Sequence, residues 1–417
     1  MSPVTRRQFI RRTSMLGAAG LTLPAILAAC GDDDEASDAT GASGTTPGTS
    51  AGTSATTSND TTAGTSSATS PGTTDGGGES KLFFENWPEY IDPTEDGARG
   101  TVDRFKKATG LKMKYTEAFN DNNEYFALIQ PLLGAGKKIE PDIIAPTSWL
   151  AGRLITLGWV DKLPLDQVPN AKNLRPDLIK PSWDPTGEYS LPWQTGITGI
   201  AYNLDATGRE LKSVEDLFDP AFKGKIGMLT EMRDTVGLIL LGTGVDPSTL
   251  ESFDQAADAF DRLAAAKADG QIRAFTGNDY LDDLSTGNFA ACVGWSGDVV
   301  QLSRDNPAVK FIIPEDGGIS WADTMVMPKG AENRDSAAEW MNFVYDPVQA
   351  AKLTAWVQYV SPVAGVREEV AKIDPELAES TLLFPDDATL ERLHAFANLP
   401  EDVEAEFDVA FSDIVGA

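Results

Sequence analysis

Histidine is almost absent from this chain: His394 is the only one in 417 residues. Cysteine occurs twice, at positions 30 and 292. No Cys/His cluster can therefore be assembled for a structural metal, and no disulfide framework is expected. The chain also has no Gly-x-Ser-x-Gly elbow and no phosphate-cradling glycine loop, which removes the usual signposts of serine hydrolases and nucleotide binders. Positive charge is scarce, with 34 Lys and Arg against 63 Asp and Glu. Nucleic acid and anionic membrane surfaces are thus excluded as natural partners. Long apolar runs are missing too. The longest, Met15 to Ala29, is too short and too rich in Gly and Ala for a transmembrane helix. From Gly31 to Ser80 nothing apolar is larger than alanine except Pro47 and Pro71. Such a segment cannot bury enough surface to offset its chain entropy, and a disordered tether is expected there.

What is present at the N-terminus has an order. Arg6-Arg7-Gln8-Phe9-Ile10 precedes the apolar run, which ends Leu27-Ala28-Ala29-Cys30. A basic region, a short apolar core and small residues before a cleavage point make a secretory signal. The paired arginines resemble a twin-arginine export signal. Leu-Ala-Ala-Cys resembles a bacterial lipobox, whose cysteine becomes the diacylated first residue of the mature protein. Residues 1–29 then read as a signal peptide and 30–80 as a lipidated cysteine and tether. Cys30 is the expected lipidation site, and two acyl chains on it would anchor stably. Fifty flexible residues span roughly 40 Å, enough for a body to stand off a membrane. Loss of Arg6, Arg7, Arg11 and Arg12 with the signal takes the formal charge from −29 to −33. Cys292, in Phe-Ala-Ala-Cys-Val-Gly, is then left as a small core residue.

Residues 81–417 are ample for a two-domain globular body. Strand-like segments alternate with helical ones. Lys81–Glu85, Leu111–Glu117 and Pro141–Pro146 read as strands, and 101–109 and 123–133 as helices. This alternation implies a mostly parallel α/β sheet. Further on, Tyr189–Asn203 reads as a glycine-punctuated strand pair at which the chain crosses between domains. Val214–Phe218 is a short helix capped by Ser213 and Asp216. Ser248 and Glu251 form a capping box for a long helix. Asp335–Tyr345 and Pro347–Tyr359 are helical, and His394 falls in a polar helix.

Pro314-Glu-Asp-Gly-Gly-Ile-Ser-Trp-Ala-Asp323 is the stretch around which the site is organised. Two glycines turn the backbone, and Trp321 and Asp323 follow two apart, so extended geometry points both the same way. An aromatic face beside a carboxylate suits an organic cation. An aromatic or an acid recurs on other loops after strands: Trp87, Glu89 and Tyr90; Thr147 and Trp149; Glu231 and Asp234; Trp295. Ligands of parallel sheets bind at such carboxyl-end loops.

The order Asn-Trp-x-Glu-Tyr, Asp-Pro-x-Phe-Lys-Gly-Lys, Gly-x-x-x-Trp-x-Gly, Gly-Gly-Ile-x-Trp-x-Asp resembles the extracellular solute-binding proteins of polyamine (spermidine/putrescine) ABC importers. The resemblance spans nearly all of 81–417. It implies a two-lobe, hinge-connected periplasmic-binding-protein fold of type II. The lobes would be 81–195 with 322–367, and 196–321 with 368–417. It further implies that Glu89, Glu231, Asp234 and Asp323 meet ammonium groups. Trp87, Tyr90, Trp149, Trp295, Trp321 and Tyr359 would enclose the methylene chain beside Thr147. There are departures. Pro88 stands where the pattern is polar, the acids at 231 and 234 are exchanged in length, and the C-terminal glutamine has no counterpart. The expected partners are a polyamine, the transmembrane subunits of an ABC permease and, through the lipid only, a membrane. A monomer without cofactor, metal or enzymatic activity is expected in the cell envelope. A two-lobe receptor for another amino compound or a sugar, or a secreted carbohydrate hydrolase using two of these carboxylates, are the alternatives.

Overall fold

A computed structural model describes residues 81–95 and 98–416. The signal-like start, Cys30 and the segment read as a tether lie outside them. The first strand, β1 (Lys81–Asn86), buries Leu82, Phe84 and Asn86 on one face, the period-2 pattern of a half-covered strand. It is followed by β2 (Lys112–Glu117), β3 (Ile143–Ile144), β4 (Val160–Asp161) and the 14-residue β5 (Ser190–Asn203). Then come β6 (Ile226–Leu229), β7 (Ile272–Thr276), β8 (Ala291–Trp295), β9 (Val309–Ile312), β10 (Gly318–Pro328) and β11 (Leu393–Ala395).

The sheet order is β2-β1-β3-β10-β5-β8-β6-β7. Its two ends are parallel triplets, β2-β1-β3 and β8-β6-β7. Every antiparallel pair involves β5 or β10. Each triplet, with the helices that connect its strands, is a lobe, and β5 and β10 run through both. The Gly-punctuated segment at 189–203 is thus one continuous strand rather than two. Its glycines serve close approach instead of a turn: a Cβ on Gly196 would collide with the Trp321 ring, and one on Gly199 with the backbone of Ile312.

Between Asp323 and Thr324 the β5–β10 register slips, with Gln194 opposite Asp323 but Pro192 opposite Thr324. Trp193 is the extra residue. Bulges bend a strand and re-aim its side chains, and here the bulge drives Trp193 into the first lobe's core. It meets Phe84 edge-on at 5.5 Å and stacks near Trp340 at 6.0 Å. Beside the bulge, Thr195 and Val360 exchange two backbone hydrogen bonds of 2.9 Å, so a third segment runs along β5 there.

Helices follow local signals where those are unopposed. Asp121 accepts hydrogen bonds from the amides of Asn123 and Glu124 and starts the helix Asn122–Leu133. Ser213 and Asp216 form the capping box expected for Val214–Phe218. Two readings differ from the sequence expectation. Ser248 does not cap the long helix: Pro247 opens a short turn in which both the amide and the hydroxyl of Ser248 donate to Asp246. The capping box falls instead at Ser252 and Gln255, and the α-helix spans Ala257–Ala268. His394 is in β11, parallel to β10, rather than in a helix. Gly317 sits at φ +117°, a conformation that side chains rarely adopt, and a Cβ there would press on the Arg392 carbonyl at 3.0 Å and the His394 ring at 3.2 Å. In the second lobe the C-terminal helix Glu401–Val415 docks Phe407 against Phe253 and Phe260, at 5.3 and 5.4 Å.

Candidate functional site

The carboxyl ends of the parallel strands in both lobes open toward one another. β1 delivers Trp87 to Tyr90, and β3 delivers Thr147 to Trp149. From the other lobe, β6 delivers Glu231 to Asp234 and β8 delivers Trp295 to Asp298. β10 passes between them carrying Trp321 and Asp323. These residues line one cavity of about 500 Å³, within the size range of small-molecule sites. Ten of the eleven residues singled out in the sequence line it: Trp87, Tyr90, Thr147, Trp149, Glu231, Asp234, Trp295, Trp321, Asp323 and Tyr359. Glu89 is not among the lining residues. It occupies φ +54°, an uncommon conformation for a side-chain-bearing residue, and its amide donates to Glu117. That turn brings Tyr90, not Glu89, over the cavity.

The carboxylates are set in dry, specific surroundings. Asp323, 4 % exposed, accepts a hydrogen bond from the Tyr90 phenol at 2.8 Å and another from the Thr147 hydroxyl at 2.7 Å. Burial nevertheless pushes its pKa up to about 7, and the nearby charge of Asp234 adds to the rise. The same burial, with Asp323 beside it, raises the Tyr90 phenol and keeps it a donor. Asp234 accepts from Thr198 at 2.6 Å and from the Trp295 indole at 3.1 Å. Burial raises it to about 6 against those bonds and the Arg233 charge. Glu231 accepts from the Asn122 amide and side chain, at 3.0 and 2.8 Å, so the start of a second-lobe helix is bonded to the start of a first-lobe helix. Burial, then the charges of Asp121 and Asp234, raise Glu231 strongly. Among the described residues no Lys or Arg forms an ion pair with Asp323, Asp234 or Glu231. A buried carboxylate left so is costly unless it protonates or receives a cation.

Aromatic rings frame these acids. Tyr359 meets Tyr90 edge-on at 5.1 Å and Trp321 at 5.5 Å. Room for both is made by glycine. The Trp321 ring lies on Gly196, and a Cβ on Gly297 would come within 2.6 Å of Tyr359. Thr198 ties the two lobe-crossing strands to the acids: it accepts from the Trp321 indole at 3.0 Å while donating to Asp234. Trp87 is more nearly structural than its neighbours. Its indole donates to the Ala145 carbonyl at 2.8 Å and its ring packs on Phe119.

Several lining residues were not identified in the sequence. Asp298, buried three residues after Trp295 at a helix start, repeats the Glu231/Asp234 pattern and was legible in that sense. Arg233 lines the wall with its guanidinium 4.0 Å over the Trp149 ring, and it pairs with Glu404. Leu393, Phe396 and their neighbours close one side. Nothing local marks them, because β11 reaches the cavity only by pairing with β10.

The geometry is that of a ligand cavity: acids, hydroxyl donors and aromatic rings converge on one enclosed space. Comparison with known proteins agrees. The profile of the bacterial extracellular solute-binding protein family matches residues 100–384. The spermidine/putrescine-binding periplasmic protein of Escherichia coli K12 is 26 % identical over 310 residues, covering 74 % of this chain and 84 % of that protein. The putrescine-binding periplasmic protein PotF of the same organism is 29 % identical over 326 residues, with the same coverage of 74 % and 84 %. The spermidine/putrescine ABC transporter substrate-binding protein PotD of Streptococcus pneumoniae superposes with a TM-score of 0.65 at 24 % identity, covering 80 % of this chain and 98 % of its own. That likeness concerns the fold, which is the two-lobe α/β fold of periplasmic binding proteins.

Proposed function

This chain belongs to the bacterial extracellular solute-binding protein family, whose members are transport proteins and not enzymes, and we propose that it captures a polyamine for uptake by an ABC permease. The observation that carries this reading is the set Asp323, Asp234 and Glu231. These three buried carboxylates, framed by Tyr90, Trp295, Trp321 and Tyr359, have no ion-pair partner among the described residues. A linear amine supplies what such a cavity needs. Its ammonium groups replace the protons that burial favours on the acids, and its methylenes lie against the rings, which also attract the charge. A neutral sugar would leave the carboxylates uncompensated. The relatives that bind spermidine and putrescine support the same class.

In this reading residues 81–195 with 322–367 form one lobe, and 196–321 with 368–417 the other. Closure hinges where β5, β10 and the segment at Val360 run side by side. Ligand sandwiched between β3- and β6-end loops would draw the lobes together. The export signal and Cys30 would tether the mature monomer by lipid to the outer face of the cytoplasmic membrane, where the permease subunits are its partners.

Titration calorimetry of the folded body with putrescine, spermidine, arginine and a neutral sugar tests the ligand class. Micromolar or tighter binding of putrescine or spermidine, with none of the sugar, is expected. Failure to bind either polyamine overturns the reading.

A further inference from the structure

The two lobes also meet outside the ligand cavity. A Cβ on Gly277 of the second lobe would come within 2.9 Å of the Asn120 carbonyl of the first. A charged contact is made by two helices. The first-lobe helix Ser148–Thr156 starts at the cavity wall with Trp149 and carries Arg153 one turn later, on the same face. The C-terminal helix of the second lobe, Glu401–Val415, carries Asp408. Arg153 and Asp408 pair at 3.8 Å, with 28 % and 24 % of their side chains exposed. Neither residue lines the cavity.

We propose that Arg153 and Asp408 form a closure clasp, which holds the lobes together over bound ligand and slows its release without touching it. The inference rests on the lobe closure proposed above. Each partner is prepared on its own side. The Arg153 guanidinium lies 4.8 Å from the ring of Phe126, which stacks near Trp159 at 5.8 Å. That first-lobe support places the guanidinium before the pair forms, so less side-chain freedom is lost on closing. Burial raises the Asp408 carboxyl, the charges of Arg233 and Arg153 lower it, and Glu404 opposes them. When the lobes part, Asp408 loses Arg153 but keeps Arg233, which belongs to its own lobe. The carboxylate is not stranded, so the contact can break and re-form in each cycle of capture and delivery. A pair as exposed as this is weak, and a clasp must be: it biases the lobes toward closure without locking the ligand in. Because the contact exists only with the lobes together, it acts on release and not on encounter.

The test is stopped-flow tryptophan fluorescence with putrescine on the wild type, Arg153→Met, Asp408→Asn and the double variant, at low ionic strength, where screening is least. Methionine keeps an apolar stem against Phe126 and removes the charge. Arg153→Met is expected to speed release about three- to fivefold and to change association less than about twofold. Asp408→Asn is expected to act in the same way, and the double variant no more strongly than either single one, as for two members of one contact. An unchanged release rate in Arg153→Met, effects that add in the double variant, or a change confined to association overturns the clasp and leaves the polyamine reading standing. Absence of putrescine binding in the wild type overturns the polyamine reading instead. Small-angle scattering of the ligand-free body then decides the clasp, with Arg153→Glu setting like charges opposite each other. A radius of gyration larger than that of the wild type supports the clasp, and an equal one overturns it.

Discussion

The Tyr90 phenol donates a 2.8 Å hydrogen bond to Asp323 across 233 residues of chain. It joins a loop at the end of β1 to a strand that passes through both lobes. The carboxylate it serves accepts a second bond from Thr147, so three separate parts of the sequence are committed to one buried charge.

Replacing Asp323 with Asn keeps that shape and removes the charge. Truncating one member of a buried, hydrogen-bonded charge pair costs about 2–5 kcal/mol, so putrescine affinity is expected to fall roughly 30-fold or more. The ligand-free variant is expected to be at least as stable as wild type at pH 8, because an uncompensated buried charge has gone. Calorimetry and chemical denaturation of the same preparation measure both. An unchanged affinity would remove Asp323 from the site.

The raised acids also fix a pH dependence. The folded pKa of Asp323, about 7, and that of Asp234, about 6, lie above the ordinary carboxylate value of 3.8. The folded ligand-free protein therefore binds protons more tightly than the unfolded chain. Its stability from these groups is complete below pH 4 and is lost as pH rises from 4 to 7. For Asp323 alone the loss is on the order of 4 kcal/mol. Amine binding has the opposite slope, since the ammonium needs the ionised acid. Affinity is expected to climb from pH 5 to 8 and level off above. At pH 6, binding heats should differ between buffers of different ionisation enthalpy, in the sense of proton release. Heats independent of the buffer would contradict these pKa positions.

Gly196 offers a test that touches no charge. Its missing side chain is what lets Trp321 lie flat across β5, and a Cβ there would collide with the indole. Gly196→Ala is expected to displace the ring, break its 3.0 Å bond to Thr198, and weaken amine binding by about 1–2 kcal/mol, roughly 5- to 30-fold. Quenching of tryptophan fluorescence by added ligand should shrink in parallel. Full quenching and wild-type affinity would show that Trp321 is not a wall of the site.

Anchorage is tested by Cys30→Ala. The variant is expected in the culture fluid or periplasm rather than the membrane fraction, with amine affinity of the body unchanged. Membrane association equal to wild type would rule out the lipid anchor.

Much of this protein is written locally. Alternating Leu82 and Phe84, the Asp121 cap and the Ser213/Asp216 box depend on neighbours a few residues away, and period and capping chemistry suffice to read them. The acid-and-aromatic loops were legible because parallel strands present their carboxyl ends to a common space, so each loop carries the same signal independently. Other features depend on pairings hundreds of residues long. The single strand Ser190–Asn203 looked like two, because glycines that permit contact with Trp321 and Ile312 are indistinguishable in sequence from glycines that permit a turn. His394 lies in a strand rather than a helix because its segment pairs with Ile319 of β10, far back in the chain. Glu89, next to Trp87 and Tyr90 in sequence, was turned away by its own backbone conformation. Above all, only the folded chain could set Arg233 on Trp149, because Glu404, which holds it there, lies 171 residues further on. Residue types alone pointed to a cation between rings and acids. Where the protein's own arginines sit was decided by tertiary contacts, since electrostatic partners in a buried site are chosen by distance in space and not along the chain.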